Sequence, residues 1–115
     1  MSSLQLINFI KNLFFKPRIL QKNLKRLNKE QVGKIKNQSG VYFIYDNTGE
    51  PIYVGVSEIL KHRLQSYYQK DDFTVNRTKR KLRHYSYYFS VKYCSIQKAR
   101  LIEMENKYSM RFNHL

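Results

Sequence analysis

Apolar residues recur at helical spacing over residues 4–15, where Leu6, Ile7, Ile10, Leu13 and Phe14 share one side before Pro17 breaks the pattern. That spacing predicts a short amphipathic helix. From Arg18 to Lys36 a second helical pattern sets Ile19, Leu20, Leu24 and Leu27 on one side, with Arg18, Lys22, Lys25, Arg26, Lys29, Lys34 and Lys36 elsewhere. The period then changes. After the turn-forming Gln38-Ser39-Gly40, the run Val41-Tyr42-Phe43-Ile44-Tyr45 is rich in β-branched and aromatic side chains. Asp46-Asn47-Thr48-Gly49 is a strong turn signal, and Ile52 to Val54 supplies a returning strand, so a hairpin is predicted. Ser57 is a candidate N-cap for a helix through Tyr68, with Glu58 near its positive end and Leu60, Leu64 and Tyr67 facing inward. Lys70-Asp71-Asp72 reads as a loop. Ser86 to Cys94 alternates well enough for a third strand, and Ser95 is a candidate N-cap for a last helix carrying Ala99, Ile102, Tyr108 and Phe112.

A chain of 115 residues can bury one modest core. The predicted fold is therefore a single α/β domain, with a small three-stranded antiparallel sheet (residues 41–46, 51–55 and 86–94) flanked by helices near 57–68 and 95–110. Residues 1–38 form a basic helical extension and 39–115 the domain proper. Alternation along the hairpin predicts burial of Val41, Phe43, Ile52 and Val54.

Charge narrows the partner. Twenty-two Lys and Arg against eight Asp and Glu give a formal charge of +14, which favours association with a polyanion, above all nucleic acid. Candidate phosphate contacts are Lys22, Lys25 and Arg26 on the basic helix, and Arg77, Lys79, Arg80, Lys81 and Arg83, the densest positive cluster. A basic helix can equally be a solvated face packed on a core. Cys94 sits in an aromatic run and reads as a small buried apolar side chain; one cysteine cannot form an intramolecular disulfide, so a reducing compartment is expected. Residues 1–15 are interrupted by Lys11 and are too short to span a bilayer, which points to a soluble, cytoplasmic protein without membrane association.

Two short signatures carry the chemistry: Gly40-Val41-Tyr42 on the first strand of the hairpin and Tyr53-Val54-Gly55 on the second. Arg63 follows on the next helix, and Ala99-Arg100-Leu101-Ile102-Glu103 lies on the last. A two-residue loop at Asn47-Thr48 would pair Tyr42 directly with Tyr53, whereas a one-residue change without a compensating bulge would send one ring to the other face. Gly55, with no side chain, leaves room for a phosphate or for the following helix.

In this order the residues resemble the GIY-YIG endonuclease superfamily, over roughly Ser39 to Asn113. The resemblance implies a metal-dependent hydrolase of DNA phosphodiester bonds. Tyr42 would help deprotonate the attacking water, Tyr53 would support orientation and proton transfer, and Arg63 would steady the phosphate charge. Glu103 would hold one divalent cation, Mg2+ or Mn2+, on the leaving side. Glu103 is preferred to Glu105 because it follows the alanine-arginine pair as in the family, and residues two apart on a helix point some 200° apart. Gly55, Tyr67 and Asn113 are supporting candidates; Tyr67 occupies the position of a histidine or tyrosine one turn after the arginine. A phenol of ordinary pKa near ~10 needs roughly 3 kcal/mol of electrostatic help to stand as phenolate near pH 7.5, unless it relays a proton while neutral. Departures from the family are Val56 in place of a lysine, Ile59 in place of a polar residue, Met110 in place of a proline and an Asn113 that comes early. His62 and His84 are spare candidates.

No zinc finger or helix-turn-helix is evident, so low sequence specificity is expected, on double- or single-stranded DNA and in a mobile-element or phage setting. The alternative is a catalytically inactive nucleic-acid-binding module on a degenerate nuclease fold. A further alternative is an interaction protein whose N-terminal apolar helix docks on a partner or makes a homodimer.

Overall fold

In the computed structural model of the chain, residues 23–69 and 77–114 are described. The expected helix over 4–15, Lys22, the loop at 70–72 and the side chain of Arg77 lie outside the described residues.

Strand β2 (Gly40–Tyr45) is buried at every position, as an unbroken apolar run should be when strands pair on both its sides. Its partners are β3 (Pro51–Ser57) and β4 (Tyr88–Tyr93), both antiparallel. The sheet has four strands, not three: β1 (Lys25–Arg26) joins the far side of β4, giving the order β1-β4-β2-β3. The single helix expected over 18–36 is therefore corrected. Leu27 N donates to the Tyr87 carbonyl at 2.9 Å, and the Arg26 guanidinium lies 3.6 Å from the Tyr87 ring centre and donates to its hydroxyl at 2.6 Å. The open edge of β4 offers backbone partners that outweigh local helix propensity here. A helix resumes only as α1 (Lys29–Gly33), where the Asn28 side chain accepts from Gln31 N at 2.9 Å. Residues 24–35 thus contribute to the core, Val32 and Ile35 included.

Alternation along β2 divides the interior into two layers. Tyr42 and Ile44 meet Val32 of α1, Leu60 and Leu64 of α2 (Leu60–Gln65), and Leu82 of α3 (Arg77–Tyr85). Val41, Phe43 and Tyr45 point the other way, toward Ala99 of α4 (Ile96–Asn106) and Met110. The four predicted core residues Val41, Phe43, Ile52 and Val54 are all buried.

Element ends moved where tertiary pairing extends a strand. The hairpin partner register runs to Gly40↔Ser57, so Ser57 belongs to β3 and α2 starts at Leu60; the Ser57 hydroxyl instead accepts from Ile59 N at 3.1 Å. Ser95 does cap α4, accepting from Lys98 N at 3.2 Å. That helix stops at Asn106 and the chain continues in two 3-10 turns, Lys107–Ser109 and Arg111–His114. The change of winding buries Phe112 but leaves Tyr108 70% exposed, against the inward position that continued α-helical spacing gives it. Cys94 is half-buried and its thiol faces the Lys92 carbonyl at 3.7 Å. Among the described residues no helix is long and apolar enough to cross a membrane.

Candidate active site

The hairpin turn sets the register that aligns the two signature tyrosines. Asp46 Oδ1 accepts from Thr48 N, Glu50 N and the Thr48 hydroxyl at 2.9, 3.0 and 2.6 Å, while Gly49 takes φ +85°. Burial acts to raise the Asp46 pKa, but these donors and the Arg111 charge outweigh it and hold the carboxyl below its usual range. Closure is wider than the expected two-residue loop: Asp46 N donates to Glu50 O at 2.9 Å, and a bulge follows between Ile44 and Tyr45. Tyr42 consequently pairs with Gly55, and Tyr53 with Ile44. The displacement is two residues, so parity is kept and both rings stay on one face, diagonal to each other with centres 6.1 Å apart.

Gly55 has a different task from the one its sequence context suggests. A Cβ there would come within 2.5–2.7 Å of the Tyr42 ring and hydroxyl, so the space is taken by Tyr42 rather than by a phosphate or the next helix. On its other side the Tyr42 ring meets Tyr67 edge-on at 5.9 Å, and the two hydroxyls are 3.0 Å apart. Tyr67 lies in the turn that follows α2.

Strand β3 is an outer strand of the sheet, with α2 on one face and α4 on the other. Side chains from the two helices can therefore meet around its rim. Arg63 of α2 is exposed, and its charge lowers the pKa of Tyr42, Tyr53 and Tyr67. Glu103 of α4 is half-buried and raises that of Tyr53, whereas Glu105 is exposed. Between the helices runs an open groove of about 520 Å³ lined by Ser57, His62, Arg63, Ile96 and Arg100. Sequence reading used Arg100 only as a marker for Glu103; its place on the groove follows from the same helical phase.

Burial dominates the tyrosine electrostatics. It holds the Tyr42 phenol well above its usual pKa, reinforced by Tyr67 and Tyr53 and only partly offset by Arg63. Burial likewise raises Tyr53, with Glu103 adding to the shift and the Tyr42 hydroxyl and Arg63 opposing it. Tyr67 is raised mainly by burial. All three are neutral phenols at neutral pH, so each can both accept and donate a hydrogen bond there.

The described residues contain no group of three or more His, Cys, Asp and Glu side chains that could cage a metal ion. Glu103 alone suits a hard cation that keeps most of its waters, and among the described residues no cation forms a salt bridge with its carboxylate.

A family model described as the UvrC-like GIY-YIG domain matches residues 38–111. The chain belongs to the UvrC-like GIY-YIG family. Among curated proteins it is similar to UvrABC system protein C of Clostridium kluyveri, at 31% identity over 75% of this chain, and to that of Methanosphaera stadtmanae, at 32% over 70%. The aligned segments cover 14% of the length of each of those relatives. The GIY-YIG N-terminal endonuclease domain of UvrC from Thermotoga maritima, solved bound to its catalytic divalent cation magnesium, matches with a TM-score of 0.58, covering 73% of this chain and 92% of that domain. Sequence identity there is 20%, so this likeness speaks for the fold.

In this GIY-YIG domain Asn113 acts on the backbone. Its side chain accepts from Val54 N at 3.0 Å and donates to Val54 O at 2.9 Å, standing in for a fifth strand on the open edge of β3. Asn113→Ala is expected to cost about 1–2 kcal/mol, lowering Tm by roughly 5–10 °C in thermal unfolding. Asn113→Asp should not recover the loss, since its second oxygen would face the Val54 carbonyl as acceptor against acceptor. Equal Tm values for all three proteins would show the clamp to be idle.

The basic candidates separate. Lys25 and Arg26 lie on β1, at the opposite side of the sheet from β3. The Arg83 charge opposes, without cancelling, the rise that burial gives the Tyr67 pKa, and Lys79, Arg80 and Lys81 are exposed on the same helix.

Proposed function

We propose that the chain is a divalent-metal-dependent endonuclease domain that hydrolyses DNA phosphodiester bonds at the rim of β3. The observation that carries this reading is that Tyr42 and Tyr53 share one sheet face with ring centres 6.1 Å apart, where the Arg63 charge bears on both and the Glu103 charge, from the opposite layer, bears on Tyr53. The family membership supports it independently.

Hydrolysis requires a water oxygen to bond to phosphorus while the bond to the departing sugar oxygen breaks. Tyr42, neutral and 3.0 Å from the Tyr67 hydroxyl, accepts the water proton as it passes its own to Tyr67, which releases its proton in turn to solvent, while the departing sugar oxygen takes one from solvent. Tyr53 orients the same water or the phosphate through its phenol. Arg63, exposed on α2, balances the charge that accumulates on the equatorial oxygens. Glu103 would hold Mg2+ or Mn2+, which would supply neutralisation of the charge that develops on departure of the sugar oxygen. The groove beside Arg63 and Arg100 gives the strand a path with two guanidinium groups along it.

The substrate is DNA, cut with low sequence specificity because phosphate contacts give affinity without sequence choice. The names of the similar proteins lend no support to a mobile-element or phage setting. The proposed location is the cytoplasm, or the cytoplasm of an infected host cell.

Supercoiled plasmid tests the reading. Nicking should appear with Mg2+ or Mn2+, vanish with EDTA and fall by a factor of about 100 or more in Glu103→Ala. Retained DNA binding without nicking in the wild-type chain would instead identify the inactive nucleic-acid-binding module. Nicking that survives EDTA would remove the metal from the mechanism.

A further inference from the structure

A second cleft, of about 450 Å³, shares no lining residue with the groove beside Arg63 and is lined by Arg80, Lys81, His84 and Tyr85 of α3 and by Arg111. Its composition differs from that of the first groove. Tyr85 is 44% exposed, yet its ring is backed by the buried Phe112 ring with centres 5.9 Å apart at 30°, and His84 meets it edge-on at 5.0 Å. The Arg111 guanidinium stands 5.1 Å from the Tyr85 ring centre and 5.0 Å from that of Phe112. An aromatic shelf, held in place by a core residue, is thus framed by three permanent cations.

Among the described residues no acid forms a salt bridge with Arg80, Lys81 or Arg111. Asp46 feels the Arg111 charge, but its carboxylate is already occupied by Thr48 and Glu50 donors in the hairpin turn. A cleft with concentrated like charge and a flat ring half open to water suits an anion with a flat apolar part. Duplex backbone offers phosphate but keeps its bases stacked inside. An unpaired nucleotide offers both.

We infer that this cleft binds one nucleotide of an unpaired DNA strand, its base against Tyr85 and its phosphate among Arg80, Lys81 and Arg111. The inference rests on the reading of the chain as a DNA-acting nuclease and deepens it: the substrate carries a single-stranded segment beside the duplex that is cut. Stacking tolerates any base, so the cleft selects DNA structure rather than sequence.

The test reads binding with cleavage disabled. Full-length chain in EDTA is titrated with a fluorescent oligothymidylate and with a duplex of equal length, as wild type, Tyr85→Phe and Tyr85→Leu. Leucine keeps apolar cover over Phe112 and removes the flat face. Tyr85→Leu should weaken oligothymidylate binding about 10-fold and duplex binding less than ~3-fold, with Tyr85→Phe within about 2-fold of wild type on both. Arg111→Gln should weaken both ligands and flatten their salt dependence. Equal affinities for all three Tyr85 proteins, or equal losses on single and double strands, would overturn the inference. If Tyr85→Leu fails to fold, ultraviolet crosslinking of a 5-iodouracil-substituted oligonucleotide to the wild-type chain decides: attachment at Tyr85 supports the site, and attachment only elsewhere overturns it. Plasmid nicking does not enter this measurement, so failure of the cleft and failure of the nuclease reading are told apart.

Discussion

Tyr42→Phe is expected to slow DNA cleavage by a factor of about 100 or more while leaving a folded protein that binds DNA as before. The substitution deletes one oxygen and keeps the ring, and it is the ring that fills the space over Gly55. Tyr67 loses its 3.0 Å hydroxyl partner, at a stability cost of about 1–2 kcal/mol. Arg63→Ala should slow cleavage comparably, by ~100-fold, through lost charge stabilisation, and cost almost no stability because Arg63 is exposed. Single-turnover nicking at saturating protein separates these losses from weaker binding. Tyr67→Phe provides the contrast. Its phenol can receive the relayed proton, but water or bulk solvent can replace it, so a loss of about 10-fold is expected. If Tyr42→Phe cleaves within threefold of wild type, the proton relay assigned to that hydroxyl is wrong even if the metal dependence stands.

The hairpin and the last helix were legible because each carries its own period. β2 and β3 alternate around a turn whose Asp46 and Gly49 have clear local reasons, and Ser95 announces α4. Glu103 was preferred to Glu105 on family order; helix phase says only that the two point apart, and one is half-buried where the other is exposed. What failed was non-local. Two residues of β1 contain no periodicity of their own; they become a strand because β4 has an unpaired edge and Tyr87 receives Arg26. The bulge that displaces Tyr42 from Tyr53 was invisible for the same reason, since its position depends on how the closed turn meets the rest of the sheet. Asn113 was picked as a site residue from family order alone. Its contact with Val54 requires the 3-10 turns after α4, which no helical pattern in the sequence announces. The cleft at Tyr85 and Arg111 joins α3 to those same turns, so the basic run at 77–83 gave half of it and the other half came only with the fold.

Glycine at the two signature positions allows fold and site to be perturbed separately. At Gly40 an added Cβ would strike the Lys92 backbone carbonyl. That carbonyl belongs to β4, whose Tyr93 pairs with Gly40, so it cannot retreat without parting the two central strands. Gly40→Ala should therefore cost about 3 kcal/mol or more and leave little folded protein at 37 °C. At Gly55 the obstacle is a side chain, the Tyr42 ring. Tyr42 is 3% exposed and confined by Tyr53 and Tyr67, so an added methyl pushes the ring off its hydroxyl partner without separating any strands. Gly55→Ala should cost only about 1–3 kcal/mol, yet cleavage should fall nearly as far as in Tyr42→Phe, because a displacement of about 1 Å at a reacting group is worth roughly 100-fold. Denaturant unfolding and nicking measured on the same preparations make the comparison. Adding Tyr42→Phe to Gly55→Ala should then lower the rate little further, since the hydroxyl is already out of position. A full second loss would mean that Tyr42 keeps its place and that Gly55 serves the substrate instead.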